Sequence, residues 1–194
     1  MPLFYKEEYK ILKSRLENEI TQLEPDRVCY KKLIAYLVVA EDHRYYNHPG
    51  FDFIGICRAF CRNLFQGKHE GASTIEQQLV RVLTEDYQYS YYRKFKEIYL
   101  ATMLSRLADK DTLAATYLSI ANYGTDYQRL SSILNKYGKN VHQELTDDIC
   151  AEIVARLKYP EPRRLNERRK RQIENRKQYI LKRVYSKSTK NEHW

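Results

Sequence analysis

The chain has 194 residues, of which 43% are hydrophobic and 30% charged. That is enough for one ordered globular domain with a buried core, and too balanced for a disordered or fibrous protein. The net charge of +9 is uneven: residues 163–190 hold twelve Lys or Arg against two acids, +10 in one segment, which leaves −1 for everything else.

A localised basic block points to phosphate, whether anionic lipid, pyrophosphate or nucleic acid. No apolar run approaches the ~20 residues needed to cross a bilayer, and Met1–Glu8 lacks the charged-then-apolar layout of a signal peptide. The four cysteines, Cys29, Cys57, Cys61 and Cys150, follow neither a disulfide-scaffold nor a zinc-ligand spacing. They read as free buried thiols of a reducing compartment. Tyrosine is abundant, 18 against one tryptophan, which suits half-buried and interfacial positions.

Residues 3–23 predict an amphipathic helix, with Tyr9, Leu12, Leu16, Ile20 and Leu23 recurring every three or four positions, closed by Pro25-Asp26. A second helix runs from about Val28 through an apolar stretch, Leu33 to Ala40, into two adjacent acids, Glu41 and Asp42. His48 follows, and the chain turns at Pro49-Gly50. Acids at the end of a buried run are costly unless hydrogen-bonded, paired or used for proton transfer. Otherwise the stretch is a solvated helix end.

Asp52 is placed to cap a third helix over 53–65, apolar over a wide face and carrying Arg58 and Arg62. It reads equally as a core helix or as an interfacial helix whose aromatics enter a bilayer. Gly67 and Gly71 bracket a turn. Ser73 followed by Glu76 fits a capping box for the next helix, and its free N–H groups, with Thr74, Gln77, Gln78 and Arg81 nearby, also suit a phosphate. Residues 91–108 predict a helix with Arg93 and Glu97 one turn apart, an intrahelical ion pair on the plainer reading. Asp109 or Asp111 starts another, stopped at Gly124; a shorter one covers about 127–136 and ends near Gly138. Thr146 caps a helix with the stripe Ile149, Cys150, Ile153, Val154 and Leu157, and a last helix over about 165–184 carries the basic block. No strand or hairpin signal rises anywhere, so the fold class is all-α.

Three of these stretches, taken together, resemble the first three motifs of the peptidoglycan glycosyltransferases. They are Glu41-Asp42-x-x-Tyr45-x-x-His48-x-Gly50, Gly71-x-Ser73-Thr74-x-x-Gln77-Gln78-Leu79 and Arg93-Lys94-x-Lys96-Glu97. The family comprises the lysozyme-like domain of class A penicillin-binding proteins and the monofunctional transglycosylases, and order and intervals agree. The resemblance implies a single glycosyltransferase domain over 1–194: a lysozyme-like main lobe from 28–48 and 72–160, a small membrane-facing jaw from 49–71, and a basic C-terminal helix and tail over 163–194. It implies an inverting polymerisation in which the 4-hydroxyl of one lipid-linked glycan displaces the polyprenyl pyrophosphate of another, the lipid II-type reaction that moenomycin targets. Glu41 and Glu97 match the two catalytic glutamates. Asp42, His48, Ser73, Thr74, Gln77, Gln78, Arg81, Arg93, Lys94 and Lys96 match substrate-binding positions. Mg²⁺ or Mn²⁺ is the implied cation, held by Glu97 through the pyrophosphate. The implied partners are the lipid-linked glycan, an anionic membrane surface and a membrane-anchored protein. The implied place is the periphery of the cytoplasmic membrane, on its outer face by resemblance, with the inner face left open by the missing anchor.

The chain also departs from the family pattern. Glu76 and Val82 stand where Thr and Asn are usual, and Tyr89 where an arginine often lies. The fourth motif, usually Glu-x-Tyr-Leu-Asn, reads Ala115-Thr116-Tyr117-Leu118-Ser119. An added acid and a missing arginine are expected to make the phosphate pocket less positive. Other readings are a catalytically impaired lipid-phosphate or glycan-binding accessory protein, a transferase for another lipid-linked sugar, and a glycan hydrolase, which needs a second carboxylate ~5–10 Å away. Nucleic-acid binding through 163–190 ranks last, because it leaves Glu41, His48 and Glu97 unused.

Overall fold

The computed structural model describes residues 5–23, 28–66, 73–88 and 90–191, with side chains for all of these except 60–66 and 188–191. Pro25-Asp26, the turn between Gly67 and Gly71, Tyr89, and the side chains of Cys61 and Arg62 lie outside the described residues. Among the described residues there are nine α-helices and no strand, so the chain is all-α as its patterning predicts. The helices are α1 (Lys6–Thr21), α2 (Val28–Glu41), α3 (Phe53–Gln66), α4 (Ile75–Thr84), α5 (Tyr91–Leu104), α6 (Lys110–Ile120), α7 (Leu130–Lys136), α8 (Asp147–Lys158) and α9 (Glu167–Asn191). They fall into two compact units, one of residues 1–22 and 44–117, the other of 23–43 and 118–194.

In the first unit α4 packs on α5, and α1 lies against both. Its core takes Leu12 and Leu16 from α1, Leu79, Val80 and Leu83 from α4, and Leu100 and Leu104 from α5, all buried. Of the stripe predicted from spacing, Leu12 and Leu16 go inside and Leu23 is buried past the end of α1, while Tyr9 and Ile20 stay half-buried. Arg15 of α1 donates to the carbonyl of Leu83 at the end of α4, where the chain turns through Glu85 in the left-handed region. The expected capping of α4 by Ser73 is shifted by one residue. Thr74 is the N-cap, its Oγ1 accepting from the Gln77 N–H at 3.2 Å. Ser73 is thereby released for another task. The helix predicted to reach 108 ends at Leu104, where the Ser105 hydroxyl turns to the carbonyls of Thr102 and Pro49. Asp109 caps α6 through the N–H and hydroxyl of Thr112.

On α3, Ala59 is buried while Phe53 and Ile54 are 67% and 56% exposed. Cys57 is exposed too, which corrects its reading as a buried thiol; Cys29 and Cys150 are buried and free as expected. Residues 49–66, the described part of the expected jaw, belong to the first unit.

In the second unit α8 is the centre, packed against α9 and α2, which also touch each other. Leu33 and Leu37 of α2, Cys150, Ile153 and Val154 of α8, and Ile173 and Ile180 of α9 are buried. Truncating a leucine in such a site costs about 2–5 kcal/mol. Burial pushes the thiols of Cys29 and Cys150 up to about 11 and about 12, which makes them inert. Lys32 ties α2 to the start of α8, bonding Asp147 at 2.6 Å and the Leu145 carbonyl at 2.8 Å. Gly124, expected only as a helix stop, is where residues 123–125 pair with Glu161 through two backbone bonds of 2.9 Å. A Cβ there would lie 2.5 Å from the Glu161 carbonyl oxygen, so glycine is needed for the close approach.

The turn after the first motif rests on one backbone conformation. Gly50 has φ +101°, and a Cβ built on it would sit 2.5 Å from the carbonyl oxygen of Ala101 in α5. Its own carbonyl accepts from Thr74 Oγ1 at 2.8 Å. Gly50→Ala is therefore expected to cost about 3 kcal/mol, combining positive-φ strain with an unrelieved backbone clash. Urea denaturation should show a lower midpoint at unchanged slope.

Candidate active site

The residues singled out from sequence divide between the two units. On the first, α4, the residue before its cap and α5 bring five of them together around the carboxylate of a sixth. Glu97, on the inner face of α5, is 2% exposed. Arg81 of α4 donates to both of its oxygens at 3.1–3.2 Å. Lys94 reaches Oε1 at 2.8 Å, and Arg93, one turn back, bonds Oε2. Lys94 also donates to Ser73 Oγ at 3.0 Å and to Gln77 Oε1 at 2.6 Å, and Arg81 reaches Ser73 at 3.5 Å. Release of Ser73 from capping is what allows this. Three cations thus meet one acid. Burial lowers the Lys94 ammonium's pKa, and Glu97 opposes it.

Two donors here have no hydrogen-bond partner among the described residues, the Gln77 amide nitrogen and Arg93 Nε, both buried. Orphaned buried donors cost about 1–3 kcal/mol each, and a group left so in a native fold calls for a water or an ion to meet it. The same arrangement does not suit Glu97 as a direct metal ligand. Both of its oxygens are bonded by cations, and a divalent ion would enter against their charge.

Other predicted residues stand elsewhere. Lys96 is turned to Asp86 at 2.8 Å, which holds that carboxyl below the usual range. Gln78 accepts from the hydroxyl of Tyr117 at 2.6 Å, so the surviving tyrosine of the fourth motif braces α4. Thr74 serves the cap and the Gly50 turn. His48 is buried, with Nδ1 placed to accept from the Gly50 N–H at 3.3 Å.

Lys110, which no sequence motif singles out, is the fixed point of this region. Its ammonium bonds the carboxylate of Glu76 and donates to the His48 carbonyl at 2.8 Å. It lies 4.4 Å from the ring centroid of Tyr45, whose hydroxyl bonds the Lys110 carbonyl at 2.7 Å. Glu76 is wholly buried, and burial holds its carboxyl above the usual range against the pull of Lys110. The expectation that Glu76 lowers the positive charge of the phosphate pocket is therefore corrected, because its charge is met locally by a cation recruited from α6.

On the second unit, Glu41 is the last residue of α2 and Asp42 the buried residue after it. Arg176 of α9 donates through Nη2 to Glu41 Oε1 at 2.8 Å and to the Ala40 carbonyl at 2.7 Å. Arg176 was folded into the basic block by the sequence reading. The missed signal is its register: Ile173, Arg176, Lys177 and Ile180 fall at the spacing of a single helix face.

The family model described as transglycosylase matches residues 10–185. The chain belongs to that family. Penicillin-binding protein 1A of Rickettsia felis is 35% identical over 158 residues, which cover 79% of this chain and 20% of that protein. A monofunctional glycosyltransferase of Staphylococcus saprophyticus is 33% identical over 126 residues, covering 65% of this chain and 46% of its own. A biosynthetic peptidoglycan transglycosylase of Thiobacillus denitrificans is 30% identical over 148 residues, covering 76% and 63%. The chain thus spans about a fifth of the penicillin-binding protein and under two thirds of the other two. Against the transglycosylase pattern, the Glu97 cluster keeps its cations and the Glu76 departure carries its own compensation.

Lys110→Met leaves Glu76 buried without its cation, which costs about 3 kcal/mol. The double change Glu76→Thr with Lys110→Met is expected to recover most of that loss. Thermal melts of the two variants and the parent give the comparison directly.

Proposed function

We propose that the chain is an inverting glycosyltransferase that joins polyprenyl-pyrophosphate-linked glycans of the lipid II type into a β-1,4 glycan strand. The observation that carries this reading is the cluster of Arg81, Arg93, Lys94, Ser73 and Gln77 around Glu97, with its two orphaned donors. Displacing a pyrophosphate moves negative charge onto the leaving group. Fixed cations and N–H donors that need no rearrangement stabilise that charge most in the transition state. Glu97 keeps three like charges within one small volume, so it organises the anion site without ligating a metal. Glu41, at the end of a buried apolar helix, is the group assigned to take the proton from the attacking 4-hydroxyl, which requires approach within ~2.6–3.2 Å.

A lipid-linked donor lies in a membrane, and the exposed Phe53 and Ile54 of α3 favour the interfacial reading of that helix over the core reading. Among the described residues no helix is long and apolar enough to cross a bilayer; the contact proposed for the described residues is made by this exposed face of α3 on an anionic surface of the cytoplasmic membrane.

The test is polymerisation of labelled lipid II by the purified chain in detergent with Mg²⁺. The wild type is expected to give polymer. Glu41→Gln should lower the rate by about 10²–10⁴-fold, the span of a lost general base, while moenomycin binding persists. Lys94→Ala should weaken donor binding and turnover together. Moenomycin binding without polymer from the wild type would turn the reading to an accessory role, and loss of both would overturn it.

A further inference from the structure

We infer that Arg176 is a positioning residue for Glu41, through a contact that fixes the carboxylate to its own helix end. The inference rests on the glycosyltransferase reading above and adds a working part to it.

The geometry is specific. One guanidinium nitrogen, Nη2, bonds both the Ala40 carbonyl and Glu41 Oε1, at 2.7 and 2.8 Å. The two acceptors belong to consecutive residues at the last turn of α2, where backbone carbonyls lack helical partners. A single group therefore ties the side chain of Glu41 to the backbone that carries it. Both side chains are largely sheltered, 13% exposed for Arg176 and 15% for Glu41, so solvent screens the pair little. Arg176 Nε is buried without a hydrogen-bond partner, and the guanidinium lies 5.1 Å from the ring centroid of Tyr179. Its position is set by these two acceptors and by packing, not by a wider polar network of its own.

Arg176 is itself held from behind. Ile173 and Ile180, one turn either side, are buried. The adjacent Lys177 bonds Asp148 of α8 at 2.7 Å, with Glu152 at 3.7 Å. The inward face of α9 is thus two isoleucines that fasten the helix and two cations with fixed partners. A solvated basic face would show neither the burial nor the partners. A base must meet its proton within a few tenths of an ångström, and misplacement by ~1 Å costs on the order of 10²-fold in rate. Lysine at this position is a poor substitute, since one ammonium on a flexible stem does not reproduce the planar donor geometry.

The experiment compares Arg176→Ala, Arg176→Lys and the parent in the lipid II assay, with kcat and KM separated and ethylguanidinium added or omitted. Arg176→Ala should lose about 10- to 100-fold in kcat with donor KM changed less than about twofold, and free ethylguanidinium should restore several-fold of that loss. Arg176→Lys should fall between, keeping the fold if the alanine variant does not. Glu41→Gln should be insensitive to ethylguanidinium. A variant with unchanged kcat, or a loss that ethylguanidinium leaves untouched while the melting temperature drops, overturns the assignment and leaves Arg176 as a structural strut. Absence of polymer from the parent overturns the transferase reading itself, and the assignment with it.

Discussion

A carboxylate almost wholly removed from water keeps its charge only if cations come with it. Glu97 has three, Arg81, Arg93 and Lys94, and the fold of the first unit serves to assemble them. Desolvation of an ion costs several kcal/mol even after relaxation, and well-placed partners offset it only when every lone pair is used. The arrangement is asymmetric in charge, three to one, so the acid does not neutralise its neighbours. It gathers them. Without Glu97 the three cations would repel one another and turn outward to solvent, and the acceptor oxygens of Ser73 and Gln77 would lose the ammonium that joins them. The buried acid is the condition for the positive site.

The same logic recurs at lower multiplicity. Arg156, nearly buried in α8, is bonded by Glu152 and Glu161, and Glu161 also receives Lys136. Arg176 and Lys177 spend their charge on Glu41, Asp148 and Glu152. Part of the chain's basic character is therefore structural. The exposed remainder of α9 still presents lysines and arginines to solvent, but the whole segment is not a free polycation.

Much of the architecture was legible in the sequence, because helix stripes and end signals are local. The predicted α2, with Leu33 and Leu37 inside, and α8, with Thr146 as its cap, follow from spacing alone. Boundaries failed where a residue found a distant partner. Ser105 left α5 for the carbonyl of Pro49, and Thr74 took the cap that Ser73 was equally able to supply. The cluster around Glu97 was legible because its members lie within 25 residues and match a known pattern. The Glu41–Arg176 contact joins residues 135 apart, and Glu76–Lys110 residues 34 apart. Charges read from sequence default to solvent, so such pairs leave no local trace. Only the placement of Arg176 and Lys177 between two apolar positions of one helix face hinted at it.

The Glu76–Lys110 pair is also unequal in what each member needs from the other. Where threonine stands at position 76, as is usual in the family, a lysine at 110 is tolerable: a quarter of its side chain is exposed, and the His48 carbonyl and the Tyr45 ring still receive it. A glutamate at 76 without that lysine would be a fully desolvated charge with no counter-ion. The dependence therefore runs one way: the acid leans on the lysine for its charge, whereas the lysine keeps its other partners without the acid.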